Sequence, residues 1–330
     1  MLTLPPFTYH APATVSEAVA LLAEHRGDVK LLAGGTDLLP NMKHRLFTPA
    51  HLVGLRSVRG LAEIAEKDGA VRLGPMVSIA RLARDPLVEQ RLPSLQAAAQ
   101  AIAGPQLRQM GTLGGNLCLD TRCVFYNQTA FWRLALGYCL KKDGTVCHVV
   151  KAGKRCVAAA SNDTAPALLT LGARIRVAGP LGTRDVALAD FYFADGVRNL
   201  GLQEDEVLTG IEVPSPEAGQ RSGFQKLRVR EAVDYPSLSV AVSSALDAGG
   251  NARWVRVAVS ALGARPHLVG SLESLTGSKL TSAAVAEIGR IAHRQCHPLT
   301  NINIDPAWRR DLIPVLVKRA FETCRLARAS

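Results

Sequence analysis

The sequence lacks the features that mark membrane, secreted and nucleic-acid-binding proteins. It contains no apolar run of about 18 residues or more, and therefore predicts no transmembrane helix. Prolines interrupt the first residues, where a signal peptide needs a basic region and an unbroken apolar stretch, so we expect a cytoplasmic protein. Aromatic residues make up only 5%, and the net charge of +11 is scattered, so we expect neither nucleic acid nor a membrane as partner.

Several common catalytic motifs are missing as well. The chain has neither the G-x-G-x-x-G fingerprint of the doubly wound dinucleotide fold nor the G-x-x-x-x-G-K-[ST] phosphate loop. These absences argue against the usual mode of NAD binding and against nucleotide hydrolysis. No Ser-His-Asp spacing is apparent, and we find no flavin-attachment residue or active-site base that would indicate a stand-alone oxidase.

Hydrophobic periodicity predicts strands and helices along the chain, with a small α/β subdomain over about the first 55 residues. A helix begins after Thr14, a strand leads into a double glycine, and a short helix follows that stops at Pro40. Further strands and helices alternate up to a linker, SPEAGQRSG, and long helical segments run from Ala283 to Arg328. We expect domains at 1–55, 56–215 and 216–330.

Two glycine-rich loops are candidate phosphate-binding elements. The first, at residues 33–38 (AGGTDL), lies between a strand and a helix, where successive N–H groups can turn toward one point. A plain tight turn is the alternative for this pattern alone. The second, at residues 111–116 (GTLGGN), repeats the composition, and two such loops could hold both phosphates of a dinucleotide.

Three motifs in order resemble one known family. AGGTDLLP, then TLGGNL about 75 residues later, then GFQKLRVREAVDYPSLSVAV after the linker are similar to the FAD-binding medium subunit of the xanthine dehydrogenase and carbon monoxide dehydrogenase family. The resemblance covers nearly the whole chain. It implies an FAD-binding fold of the vanillyl-alcohol oxidase type, with two N-terminal α/β subdomains and a C-terminal α+β domain.

The resemblance also implies which residues hold FAD. The two loops would bind the pyrophosphate. Asp163, Lys226 and Leu208, placed by looser alignment, would be FAD neighbours, with Leu208 against the isoalloxazine. A surface salt bridge is the alternative role for Lys226. The complete predicted set is Leu32, Ala33, Gly34, Gly35, Thr36, Asp37, Leu38, Thr112, Gly114, Gly115, Asn116, Asp163, Leu208 and Lys226.

An insertion at about residues 118–158 separates this chain from family members of ordinary length. It contains Cys123, Cys139, Cys147 and Cys156, with no Cys-X-X-Cys pair. Four thiolates meet the ligand demand of one [4Fe-4S] cluster. The insertion of this chain resembles that of one family branch, the 4-hydroxybenzoyl-CoA reductase β subunit, which carries an extra [4Fe-4S] cluster there.

Other roles for these cysteines remain open. A structural zinc site could also use four thiolates, although such sites usually pair ligands two to four residues apart. Buried free thiols are a third interpretation, which we favour for Cys118, Cys296 and Cys324. Cys118 could replace Cys123 as a ligand, and His148 is a further candidate, with an exposed loop histidine as its alternative.

The resemblance places substrate chemistry on a partner. It implies a large molybdopterin subunit and a small subunit with two [2Fe-2S] clusters, assembled as a dimer of heterotrimers. Electrons then pass from reduced ferredoxin through the [4Fe-4S] cluster and FAD to molybdenum. At the molybdenum site, 4-hydroxybenzoyl-CoA is reductively dehydroxylated to benzoyl-CoA. The first alternative is an oxidative hydroxylase acting on a purine, an aldehyde or carbon monoxide. The second is a nucleotide-sensing or nucleic-acid-binding protein.

Basic residues crowd the insertion and suggest a docking site for ferredoxin. Lys141, Lys142, Lys151, Lys154 and Arg155 outnumber a single acidic residue between Cys139 and Cys156. Such a patch would attract an acidic electron carrier. A solvated charged loop is the alternative.

Overall fold

The first part of the chain forms a three-stranded parallel sheet. In the computed structural model, which describes residues 2–328, its strand order is β1-β3-β2. The predicted helix after Thr14 is confirmed, because the Thr14 hydroxyl accepts the Glu17 N–H at 3.2 Å as an N-cap. The elements are β1 (Thr8–His10), α1 (Val15–Glu24), β2 (Val29–Leu32), α2 (Leu38–Lys43) and β3 (His51–Gly54).

A second, antiparallel sheet of five strands follows, in the order β4-β5-β8-β6-β7. Its strands are β4 (Ile64–Lys67), β5 (Ala70–Leu73), β6 (Arg174–Gly179), β7 (Gly182–Ala187) and β8 (Val207–Pro214). The helices of this part are α3 (Ile79–Leu82), α4 (Pro86–Arg91), α5 (Pro93–Gln100), α6 (Pro105–Met110), α7 (Leu113–Leu117), α8 (Ala130–Ala135), α9 (Thr164–Thr170) and α10 (Leu188–Phe191).

The last part is an antiparallel sheet covered by two long helices. Its strand order is β12-β11-β10-β9-β13. The elements are β9 (Gln220–Leu227), β10 (Leu238–Leu246), β11 (Ala252–Ser260), β12 (His267–Leu268), a 3₁₀ turn (Glu273–Leu275), α11 (Ser282–Gln295), α12 (Pro306–Glu322) and β13 (Arg325–Leu326).

One large core joins the second and third sheets. Apolar residues of β5, β6 and β8 pack with α5, α7 and α9, and Phe224, Ala241 and Ala258 of the third sheet complete the same cluster. Ser243 of β10 donates to Thr170 of α9 at 2.9 Å inside this contact. The shared core holds the two sheets in one fixed relation, which positions the loops between them. None of the helices within residues 2–328 has both the length and the apolar character needed to cross a bilayer.

Three sequence expectations about element boundaries are wrong. Pro40 does not stop α2, because a proline in the first turn gives up no intrahelical hydrogen bond. The linker is shorter than expected, since β9 already begins at Gln220. The C-terminal helical segments end at Glu322 and not at Arg328, because strand β13 follows, in which Arg325 pairs with Ser222 of β9.

Candidate functional site

A cleft lies where the two glycine loops meet. We call it the glycine cleft; its volume is about 520 Å³, a size typical of cofactor sites. Of the predicted cofactor residues, twelve line it: Ala33, Gly34, Gly35, Thr36, Asp37, Leu38, Thr112, Gly114, Gly115, Asn116, Asp163 and Leu208. Two do not, namely Leu32 and Lys226.

The first loop presents free backbone donors. It follows β2 and reaches a left-handed conformation at Gly35, where φ is +73°, so a residue with a side chain would be strained there. Within residues 2–328, the N–H groups of Gly34, Gly35 and Thr36 make no hydrogen bond with protein atoms. Donors of this kind suit an anionic group such as a pyrophosphate.

The second loop is held rigidly by its own hydrogen bonds. Thr112 caps α7 by accepting the Gly115 N–H at 3.1 Å, and the Gly114 N–H donates to the Pro75 carbonyl at 2.7 Å. The side-chain oxygen of Asn116 accepts from the N–H and hydroxyl of Thr164 at 3.0 and 2.6 Å. This loop therefore contributes mainly shape and side chains to the cleft, whereas the first loop contributes three N–H groups without a protein acceptor.

The loops are in direct contact, and glycine makes this contact possible. A Cβ atom on Gly34 would lie 1.9 Å from the carbonyl oxygen of Met110. On the other side, a Cβ on Gly115 would lie 3.9 Å from the Cβ of Ala33. The loops are about 75 residues apart in sequence, yet they form one continuous wall.

Asp37 joins the first loop to two other parts of the chain. Its Oδ1 accepts from Arg122 Nη1 at 2.9 Å and from the Tyr235 hydroxyl at 3.3 Å, and its Oδ2 accepts from Asn41 at 2.9 Å. The Arg122 guanidinium lies over the Tyr235 ring, 3.9 Å from its centroid. Burial raises the pKa of Asp37, and the charge of Arg122 opposes that rise.

Asp163 and Lys226 form a buried ion pair behind the cleft. Lys226 Nζ donates to Asp163 Oδ2 at 2.9 Å and to the Ala101 carbonyl at 3.1 Å, and the two side chains are 3% and 5% exposed. Lys226 therefore does not make a surface salt bridge. Burial raises the pKa of Asp163 to about 6. Asp163 Oδ1 is buried without a hydrogen-bond partner in residues 2–328, as expected of an acceptor beside a cofactor's donor groups.

The insertion brings its four predicted cysteines together. We call Cys123, Cys139, Cys147 and Cys156 the cysteine quartet; each is 6–8% exposed, and none forms a disulfide. Burial, together with weaker repulsion by the three other thiols of the quartet, raises the pKa of the Cys123 thiol to about 11. Residues spread over 34 positions thus share one buried site.

The quartet is not arranged as a compact site for a single ion. In residues 2–328, the sulfur atoms of no three of these cysteines lie within 4.8 Å of one another. One tetrahedral zinc ion with Zn–S bonds of about 2.3 Å would hold its sulfurs about 3.8 Å apart. An iron–sulfur cluster holds them farther apart, because each thiolate binds a different iron. The Ala158 N–H also donates to Cys156 Sγ at 3.5 Å.

The two further candidates for the metal site lie outside the quartet. Cys118 lines the glycine cleft and is half-buried, and burial raises the pKa of its thiol to about 12. His148 is half-buried rather than exposed, and its Nε2 is 2.5 Å from the Tyr138 carbonyl oxygen.

Lys141 connects the quartet with the cleft and is not a surface residue. Its side chain is 5% exposed, and its ammonium donates to Asp120 and Thr121 at 2.6 Å and to the Gly196 carbonyl at 2.5 Å. Asp120 lines the glycine cleft. The expectation that Lys141 belongs to an exposed docking patch is wrong, because three acceptors draw its ammonium inward.

Sequence analysis missed three residues of the site. Arg122 and Asp120 precede the first cysteine of the quartet without any local motif. Tyr235, by contrast, lies in the third family motif, GFQKLRVREAVDYPSLSVAV, in which Lys226 is the one residue predicted to be an FAD neighbour. Its place in a motif beside a proline was a usable signal.

Two protein families match consecutive parts of the chain. Residues 5–216 match the FAD binding domain in molybdopterin dehydrogenase, and residues 223–324 match the CO dehydrogenase flavoprotein C-terminal domain.

Individual relatives match over nearly the full length. The carbon monoxide dehydrogenase medium chain of Hydrogenophaga pseudoflava is 31% identical over 96% of each chain, and the xanthine dehydrogenase FAD-binding subunit of Escherichia coli O157:H7 is 29% identical over 95% and 94%. The solved carbon monoxide dehydrogenase from H. pseudoflava superimposes with a TM-score of 0.80 at 30% identity, covering 97% of both chains. Quinoline 2-oxidoreductase from Pseudomonas putida 86 gives 0.76 at 26% identity, also with 97% coverage of both.

The fold, the glycine cleft and these matches agree. The predicted FAD-binding fold with a C-terminal domain is confirmed. The chain is an oxidoreductase subunit that belongs to the FAD-binding medium subunits of the molybdenum hydroxylase family.

Proposed function

We propose that this chain is an electron-transfer subunit that holds FAD in the glycine cleft and a [4Fe-4S] cluster in the cysteine quartet. The observation that carries the cluster assignment is that the four cysteines of the insertion are buried together and form no disulfide. Bound FAD supplies one- and two-electron chemistry, and the cluster supplies one-electron chemistry. The protein residues bind, orient and shield these groups.

Most of the predicted FAD residues have a role that follows from their position. The free N–H groups of Gly34, Gly35 and Thr36 would bind the pyrophosphate, and Thr112, Gly114, Gly115 and Asn116 continue the same wall of the cleft. Leu208 is apolar and 5% exposed, as suits packing against the isoalloxazine. Lys226 acts indirectly, by holding Asp163 toward the cleft, and Leu32 acts by ending β2 where the loop begins.

The cysteine quartet is tied to the FAD site at two points. Arg122, next to Cys123, donates a hydrogen bond to Asp37 in the cleft. Lys141 donates to Asp120, which also lines the cleft. Burial raises the pKa of the Cys156 thiol, and the positive charge of Lys141 opposes this rise. Both connections are short and largely buried. These two connections support electron exchange between the two groups within one subunit.

We further place this subunit in a larger cytoplasmic enzyme. Its partners are a large molybdopterin-containing subunit and a small subunit with two [2Fe-2S] clusters, assembled as a dimer of heterotrimers. Relatives named medium chain and FAD-binding subunit, which this chain matches end to end, support the division of labour. Substrate chemistry then occurs on the large partner.

For the overall reaction, the additional cysteine quartet supports 4-hydroxybenzoyl-CoA reductase. In this role, the chain accepts electrons from reduced ferredoxin and passes them toward the molybdenum subunit, where 4-hydroxybenzoyl-CoA is reductively dehydroxylated to benzoyl-CoA. The second candidate is an oxidative hydroxylase of the xanthine, aldehyde or carbon monoxide dehydrogenase type. The named relatives favour this second candidate, since they are dehydrogenases.

Copurification followed by assays in both directions separates these candidates. The tagged chain is isolated with its partners and analysed for molybdenum, and the complex is assayed with reduced ferredoxin and 4-hydroxybenzoyl-CoA. Formation of benzoyl-CoA supports the reductase. Oxidation of a purine, an aldehyde or carbon monoxide, with no benzoyl-CoA formed, identifies the oxidative candidate. A chain that copurifies without molybdenum contradicts both.

A further inference from the structure

Three histidines meet at one point on the first sheet, away from the glycine cleft and the cysteine quartet. They are His10, His25 and His51, three of the eight histidines in the chain. One ring nitrogen from each lies within 4.8 Å of the others. We call this group the histidine cluster.

The fold brings these residues together from three elements. His10 ends β1, His25 follows α1 as its C-cap, and His51 begins β3, which pairs in parallel with β1. Asp28 fixes the loop between them, because its N–H donates to the His25 carbonyl at 3.0 Å and its carbonyl accepts the His51 N–H at 3.1 Å. The cluster is therefore built by backbone structure and does not depend on flexible side chains alone.

The distances suit a transition-metal ion. His10 Nε2 and His51 Nδ1 are 3.0 Å apart. Two nitrogens on a tetrahedral ion with bonds of 2.0–2.1 Å are about 3.3 Å apart. The His25 ring is stacked on His51 with centroids 3.7 Å apart and an interplanar angle of 2°, so His25 has to rotate about its Cβ–Cγ bond to direct a nitrogen toward the same ion.

Access and local charge permit cation binding. All three histidines are half-buried, and the His25 side chain is 19% exposed, so an ion can enter from solvent. Glu24 lies 3.9 Å from His25 Nε2. The neighbouring cation, Arg26, bonds to Asp205 at 2.5 Å, which offsets its charge.

We propose that the histidine cluster binds one divalent transition-metal ion of the zinc class through three imidazole nitrogens. Imidazole suits zinc, copper and nickel, whereas calcium and magnesium require oxygen ligands. Three protein ligands leave a fourth position for water. The ion would join β1, β3 and α1, and so would stabilise the sheet whose strand β2 leads into the first glycine loop.

Zinc titration of the full chain, with its cofactors bound and after treatment with a chelator, tests the proposal. Zinc affinity and stoichiometry are measured by isothermal titration calorimetry for wild type, His10→Gln and His25→Gln. The melting temperature of each protein is measured with and without Zn²⁺. His293→Gln, a partly exposed histidine outside the cluster, is the matched control. We expect one site that weakens at least tenfold in both cluster variants and is unchanged in the control, with a zinc-induced rise in melting temperature only where the site is intact.

Equal zinc binding in all four proteins, or no binding by wild type, overturns the proposal. Should the cluster variants fail to fold, anomalous scattering from zinc-soaked wild-type crystals replaces them. An anomalous peak between the three rings supports the site, and its absence contradicts it.

Discussion

Arg122 donates a 2.9 Å hydrogen bond to Asp37 and thereby links the residue before Cys123 to the wall of the glycine cleft. Both side chains are about one-fifth exposed, so the pair is largely removed from water. Arg122→Met leaves the Asp37 carboxylate without its cation, and we expect a loss of about 1–3 kcal/mol in the free energy of unfolding. Chemical denaturation measures this loss.

The Asp37–Arg122 pair has a matched control. Arg176→Met removes the exposed pair with Asp185 and should cost no more than about 0.5 kcal/mol. Adding Asp37→Asn to Arg122→Met should restore part of the lost stability, because no unpaired charge remains. A double variant as unstable as the sum of both single changes would show that the two side chains do not interact.

Gly34→Ala tests the contact between the two glycine loops. The new Cβ would lie 1.9 Å from the Met110 carbonyl oxygen, so one loop must move and the free N–H groups lose their alignment. We expect at least a tenfold loss of FAD affinity, measured by flavin fluorescence during dialysis. Gly270→Ala places a methyl group in open space and should bind FAD normally. Normal FAD affinity in Gly34→Ala would contradict the proposed pyrophosphate site.

Local signals made part of this site predictable from sequence. Two features depend only on neighbours within a few residues: the helix cap at Thr14 and the strand before the first glycine loop. The structure contains both. Contacts such as Gly34 with Met110, or Tyr235 with Asp37, join distant segments through the shared core. Nothing in the local sequence specifies them.

Charge alone was a poor guide to exposure in the insertion. Lys141 and Lys142 are adjacent and chemically identical, yet the first is 5% exposed and the second 38%. The difference comes from Asp120, Thr121 and the Gly196 carbonyl, which accept hydrogen bonds from Lys141 only. Gly196 is 55 residues away from Lys141, so sequence analysis could not supply this information.

The two lysines should therefore behave differently. Lys141→Met removes a buried positive charge beside Cys156, and we expect the reduction potential of the quartet's centre to fall by up to about 100 mV. Lys142→Gln should leave the potential unchanged and, if the proposed ferredoxin is the donor, weaken the salt dependence of electron entry. Redox titration followed by electron paramagnetic resonance gives the first quantity, and stopped-flow kinetics at several salt concentrations gives the second. Identical potentials in wild type and Lys141→Met would exclude this tuning role.

Asp163 should make stability depend on pH. Burial raises its pKa from 3.8 to about 6, so the folded state holds a proton that the unfolded chain has already released in this window. The stabilising contribution is complete below about pH 4 and is lost as the pH rises through 6. Compared with Asp163→Asn, wild type should lose about 2 kcal/mol of unfolding free energy between pH 4 and pH 6.

The control for this pH dependence is Asp190→Asn, which changes an exposed carboxylate. This variant should follow the wild-type curve between pH 4 and 6. If Asp163→Asn also follows that curve, the carboxyl group of Asp163 does not titrate in this range and the assigned shift is wrong.

Iron and acid-labile sulfide analysis of the anaerobically purified chain tests the central claim most directly. Beside one FAD, we expect four irons and four sulfides per chain, as a [4Fe-4S] cluster requires. Cys147→Ala should lose most of the iron and keep its FAD, because the glycine cleft does not include Cys147. A wild-type chain that contains FAD with zinc, or with no metal in the quartet, would contradict the account.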